Sequence, residues 1–185
     1  MKKVGAKAYR FSISWSRIIP KGGRNDPINQ KGVDHYVKFV DDLLAANIVP
    51  FVTLFHWDAP DELDKRYGAM LNKDEFVADY GHYARVMFEA MGSRVKNWIT
   101  FNEPFCSSIL GYSEGVFAPG HTSNREKSQI GDSSTEPWIV GHTLLIAHGQ
   151  AVKIYRDEFK AKDGGQIGIT LNGKSWITFT VGNEY

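Results

Sequence analysis

Four short apolar runs, each separated from the next by a stretch of helical periodicity, leave few folds open to this chain. The runs are Ala8–Trp15, Val49–Phe55, Val95–Phe101 and Gln166–Leu171, all rich in β-branched or aromatic residues and short enough for buried strands. Between them, Val33, Tyr36, Val37, Val40, Leu43 and Leu44 trace one face of a helix over 32–46. Phe76, Val77, Tyr80, Ala84, Met87, Phe88 and Met91 do the same over 73–91, where Asn72 and Glu75 form a capping pair at the start. A third stripe runs from Val140 through Leu144, Ala151 and Tyr155 to Phe159, with Pro137 suited to the first helical position. The order β-α-β-α-β-α-β predicts a parallel sheet covered by helices, as a doubly wound sheet or a (β/α)8 barrel. Neither G-x-G-x-x-G nor G-x-x-x-x-G-K-[ST] follows a strand, which argues against the nucleotide-binding versions.

Charge supports no polyanionic partner. The 22 Lys and Arg nearly cancel the 21 Asp and Glu, so nucleic acid and anionic membranes have no electrostatic basis. No run approaches the ~20 apolar residues of a membrane span. The opening MKKVGAKAYRF is broken by Lys7 and Arg10, unlike a secretory signal, and a cytoplasmic location is expected. The single cysteine, Cys106, excludes an intramolecular disulfide and a multi-cysteine zinc site, and reads as a small buried thiol. No metal or cofactor is expected. The longest irregular stretch, 106–135, follows the third strand, where a barrel would carry its active-site loops.

Polar groups sit at three strand ends or inside strands where a purely structural barrel would not need them. Thr100-Phe101-Asn102-Glu103-Pro104 ends the third strand with an amide and a carboxyl, the group that glycoside hydrolysis uses to protonate a leaving oxygen. A capping Asn before a solvated Glu is the plainer alternative. Phe55-His56-Trp57-Asp58 ends the second strand. A histidine that bonds hydroxyls and a flat indole suit a pyranose, although both could be core residues; Asp58 reads as an orienting group. In the first strand, Arg10, Ser12 and Ser14 alternate with Phe11, Ile13 and Trp15, so one face is apolar and the other carries an arginine inward or to a strand edge.

Together these segments resemble glycoside hydrolase family 1. Tyr9-Arg10-Phe11-Ser12-Ile13-Ser14-Trp15-Ser16-Arg17 is similar to that family's second barrel strand, Phe55–Asp58 to its third-strand motif, and Thr100–Pro104 to its fourth. Gly111-Tyr112 and Ala118-Pro119-Gly120 resemble the loop that follows, and the wording is nearest to fungal β-glucosidases. The resemblance covers about 1–173 and implies a partial (β/α)8 barrel, strands two to five of eight. It implies Glu103 as the acid, then the base, of a retaining O-glycosidase. Asn102 would bind the sugar 2-hydroxyl, His56 and Trp57 would line the glucose site, and Arg10 would support the nucleophile. The implied substrate is a small β-glucoside or short β-linked oligosaccharide such as cellobiose; a 6-phospho-β-glycosidase relative, or a noncatalytic sugar-binding remnant or partner subunit, is the alternative.

The same resemblance sets expectations for what is not in the chain. The family's first strand and everything after about its fifth are expected to lie outside it, including the Thr-Glu-Asn-Gly segment that bears the nucleophile. Ile169-Thr170-Leu171-Asn172-Gly173 is only superficially similar to that segment, with Leu171 at the nucleophile's position, and matches the fifth strand. Residues 174–185 do not match the family's next segment, and Glu184 is not assigned as nucleophile. Without a nucleophile the chain alone is expected to be inactive, and Arg10 is expected to face solvent or a makeshift partner, Glu103 being the nearest.

Overall fold

The structure, a computed structural model, describes residues 1–173. The segment 174–185, including Glu184, lies outside the described residues. Among the described residues, four strands form one sheet in the order β1 (Ala8–Ser12), β2 (Val49–Phe55), β3 (Asn97–Asn102) and β4 (Gln166–Thr170), with every neighbouring pair parallel. The connections hold α1 (Trp15–Ile18), α2 (Gln30–Ala45), α3 (Asp61–Tyr67), α4 (Lys73–Met91), α5 (Glu136–Ile154) and α6 (Lys160–Asp163). None of the described helices is long and apolar enough to cross a membrane.

The helices cover one face of the sheet. Phe11 of β1 lies against Tyr36 of α2, Trp98 of β3 meets Phe88 of α4 edge-on at 4.9 Å, and Thr100 bonds His148 of α5 at 2.8 Å. Two tyrosines of α4 satisfy strand carbonyls from below: Tyr83 donates to Leu54 O and Tyr80 to Thr100 O, both at 2.8 Å. Buried hydroxyls need such partners, and here they tie the central helix to β2 and β3 near the ends that carry the polar motifs. The opposite face, with Arg10, Phe51, Ile99 and Gly168, is partly or wholly exposed. Helix α2 approaches the chain after β1 so closely that a Cβ on Gly32 would stand 2.0 Å from Arg17 O, so only glycine fits there.

The first strand is shorter than its apolar pattern suggests. It ends at Ser12; Ile13 still donates to Thr53 O, and the chain then turns into α1 at Trp15. Trp15 is fully buried and stacks on Tyr83, with ring centres 5.0 Å apart. Burial of that indole under the helices outweighs two further residues of strand. The capping pair is present, with Asn72 accepting from Glu75 N at 3.4 Å. Helix α5 ends at Ile154 and passes into a π-helical turn over Tyr155–Phe159. The stretch after β3 is less irregular than its glycines imply: Cys106–Leu110 is a π-helical turn, and Glu114 and Thr122 form an antiparallel bridge.

Candidate active site

Neighbouring residues on a regular strand face opposite ways, so Asn102 and Glu103 can share a cleft only if β3 is interrupted. It is interrupted twice. From Ile99 to Asn102 the chain takes three steps against two from Gly168 to Thr170, a β-bulge. Glu103 then adopts φ +46°, in the left-handed region that side chains disfavour. Trp57, at the end of β2, does the same with φ +72°. Strained backbone at adjacent strand ends is a signature of functional sites.

Side chains from four strands meet here. Trp57 Nε1 donates to Asn102 O at 2.7 Å, joining β2 to β3. Arg10 of β1 donates from Nε to Thr53 Oγ1 at 3.1 Å, and from Nη2 to Asn102 Oδ1 and, at 3.3 Å, to Thr170 Oγ1. Arg10 is exposed and its partners among the described residues are makeshift and uncharged, as expected from sequence; Glu103, the nearest candidate, is not among them. The bulge explains this, because it brings the Asn102 amide, rather than the next carboxyl, to the guanidinium. Glu103 N donates to Thr170 O at 2.9 Å, and its Oε2 accepts from the Cys106 thiol at 3.4 Å. Cys106 is buried; burial first, then the bond to Glu103, pushes its thiol pKa up, against a lowering from the Asn172 amide. A thiol held protonated is a poor nucleophile.

His56 ties the electrostatics together. Burial lowers its pKa first and the charge of Arg10 lowers it further, against raising by Asp58 and Glu103. Asp58 is pushed up by burial and accepts from His56 N at 3.3 Å. His56 is thus neutral at pH 7 and able to accept as well as donate a hydrogen bond. Its stabilising contribution is present above the unfolded-state histidine pKa of about 6.5 and is lost as pH falls through the lower folded value. In a histidine NMR titration, His56 should have a midpoint below that of exposed histidines, and Arg10→Gln should raise it. An unmoved midpoint would show that Arg10 does not act on His56.

A cavity of about 160 Å³ opens beside Trp57, lined by Ala59, Met70, Tyr112 and Pro119 among others. Phe117 from the long loop packs on the indole at 5.2 Å. Neither Glu103 nor Arg10 lines this cavity, so it adjoins the polar cluster without containing it. Sequence reasoning missed Thr53, Thr170 and Phe117; Cys106 is the buried thiol it was read as. A polar Thr53, fully buried within an apolar run, was the available signal for the first; Thr170 carried none, because its partners come from other strands.

A sequence model described as "Glycosyl hydrolase family 1" matches residues 1–184. The chain belongs to that family. It is similar to Beta-glucosidase 1B of Phanerodontia chrysosporium, 64% identical over 171 residues that make up 92% of this chain and 32% of that protein. It is also similar to Beta-glucosidase 16 of Arabidopsis thaliana, 50% identical over 93% of this chain and 34% of that protein. Among solved structures, a glycosyl hydrolase family 1 β-glucosidase from the fungus Humicola insolens in complex with glucose superimposes with TM-score 0.92 at 71% identity, over 93% of this chain and 36% of that one. The Thermotoga maritima β-glucosidase in complex with deoxynojirimycin matches with TM-score 0.81 at 44% identity, over 93% and 35%. The chain spans about a third of the length of these relatives. It is a fungal-type member of glycosyl hydrolase family 1, and its four-stranded sheet is part of a (β/α)8 barrel.

Proposed function

We propose that these residues form the acid/base side of a retaining β-glucosidase acting on small β-glucosides such as cellobiose. The observation that carries this reading is Glu103 at the bulged end of β3, with Asn102 gripped by Arg10 and the neutral His56 close by. In glycosyl transfer to the enzyme, the Glu103 carboxyl gives its proton to the glycosidic oxygen as the bond to the anomeric carbon breaks. In hydrolysis of the glycosyl-enzyme, the resulting carboxylate takes a proton from the attacking water. The attacking carboxylate must stand ~5–5.5 Å from the acid, and the family's Thr-Glu-Asn-Gly segment does not occur in the sequence. Trp57 offers an apolar face to a pyranose ring, and His56 with Asn102 offers hydrogen bonds to its hydroxyls. Glucose in the Humicola insolens structure and deoxynojirimycin in the Thermotoga maritima one favour a sugar-like ligand.

A barrel of this kind closes with eight strands, whereas the described sheet has four. Residues 1–185 alone are therefore expected to hydrolyse an aryl β-glucoside no faster than their Glu103→Gln variant. Joining residues 1–173 to the remaining strands of a family member should restore turnover, with the β-anomer of glucose as first product by NMR. Turnover by 1–185 that Glu103→Gln abolishes would overturn the proposal that the chain needs a second carboxylate from elsewhere. First release of α-glucose by the joined barrel would overturn retention.

A further inference from the structure

The amide of Asn102 can be oriented without ambiguity. A guanidinium has only donors, so the atom facing Arg10 Nη2 must be the amide oxygen. The second lone pair of that oxygen is filled from β4: Thr170 Oγ1 lies 3.2 Å from Asn102 Oδ1. Thr170 Oγ1 also accepts from Arg10 Nη2 at 3.3 Å, which leaves its own hydrogen free to donate. Its other acceptor, Phe101 O, is farther at 3.4 Å. The result is a triangle across β1, β3 and β4 in which Arg10 and Thr170 both donate to Asn102 Oδ1. Asn102 is almost wholly buried, and among the described residues its Nδ2 makes none of the observed hydrogen bonds.

We infer that Thr170 is a positioning residue that locks the Asn102 side chain with Nδ2 toward the sugar, so that the enzyme demands an acceptor at the sugar's 2-position. This rests on the β-glucosidase reading, in which Asn102 meets the 2-hydroxyl. The physical basis is that a buried donor aimed at a missing hydroxyl is left unpaired, which is how hydrogen-bonding sites reject analogues lacking that group. Arg10 selects the oxygen through one hydrogen bond, and Thr170 Oγ1 supplies the second that restrains rotation of the amide about the Cβ–Cγ bond. Thr170 also accepts from Glu103 N through its backbone carbonyl, a bond that a side-chain change leaves in place.

The test uses the complete barrel carrying residues 1–173, with Thr170→Val, which keeps the β-branched shape and removes the hydroxyl, and Thr170→Ser, which keeps the hydroxyl. Each is compared on nitrophenyl β-glucoside against its 2-deoxy analogue by kcat/KM, and on glucose against 2-deoxyglucose by calorimetric Kd. Thr170→Val should lower the preference for the 2-hydroxy sugar by about tenfold in both ratios, mainly by weakening the hydroxylated ligand, and Thr170→Ser should restore it. Equal loss on both sugars, or no change in either ratio, would overturn the inference and reduce Thr170 to a structural role. If the barrel binds glucose but does not turn over, the enzyme reading fails while the Kd ratio still decides the role of Thr170. If it binds neither sugar, both fail.

Discussion

Glu103→Gln in the complete barrel should lower kcat/KM for cellobiose or an alkyl β-glucoside by about 10²–10⁴-fold and leave kcat/KM for dinitrophenyl β-glucoside nearly unchanged. The two substrates separate because kcat/KM reports steps up to breakage of the glycosidic bond. An alkoxide is too basic to leave unprotonated, whereas dinitrophenolate leaves without help. The glutamine keeps the size and the left-handed backbone at φ +46° but has no proton to give. Turnover of the activated substrate should still stall at the glycosyl-enzyme, because water lacks its base, and azide, which needs none, should release the sugar as a β-glycosyl azide. Equal loss on both substrates would mean that the substitution damaged binding rather than proton transfer. No loss on cellobiose would remove Glu103 from the chemistry.

The largest effect on stability is expected at Trp15. The residue is fully buried, stacks on Tyr83 at 5.0 Å and meets Phe76 and Tyr80 edge-on at 5.7 Å. Trp15→Ala should cost about 3–5 kcal/mol in urea unfolding, from lost transfer energy and the cavity left behind. The consequence should reach the site, because Tyr83 donates to Leu54 O, two residues before His56. Sugar affinity should therefore fall along with stability. Trp15→Phe should cost less on both counts, since it keeps most of the ring contact and removes an indole N–H that finds no partner among the described residues. A loss below about 1 kcal/mol for the alanine variant would contradict the packing described, which places this indole among the residues whose truncation leaves a cavity.

Much of this molecule was legible from the order of residues. Alternation of apolar runs with helical stripes determined a parallel sheet and its covering helices, because periods of two and of about 3.6 residues bury different faces. Arg10, His56, Asn102 and Glu103 stood out because polar groups within barrel strands or at their ends are costly to bury and need a reason, and Trp57 because a flat indole beside them suits a sugar ring. Their family wording determined the affiliation. Local pattern could not say where β1 stops: Trp15 looks like one more strand residue until Tyr83 of α4, far along the chain, is there to stack on it.

What only the tertiary structure decided is how the polar groups pair. From sequence, Arg10 was expected to face solvent or a makeshift partner, with Glu103 the nearest candidate. The bulge in β3 instead set the Asn102 amide against Arg10, with Thr53 and Thr170 beside it. Bulges, left-handed residues and hydrogen bonds across β1, β3 and β4 depend on register between strands separated by many residues. Register is a property of the assembled sheet, set by what packs on both of its faces, and no local run of the sequence specifies it.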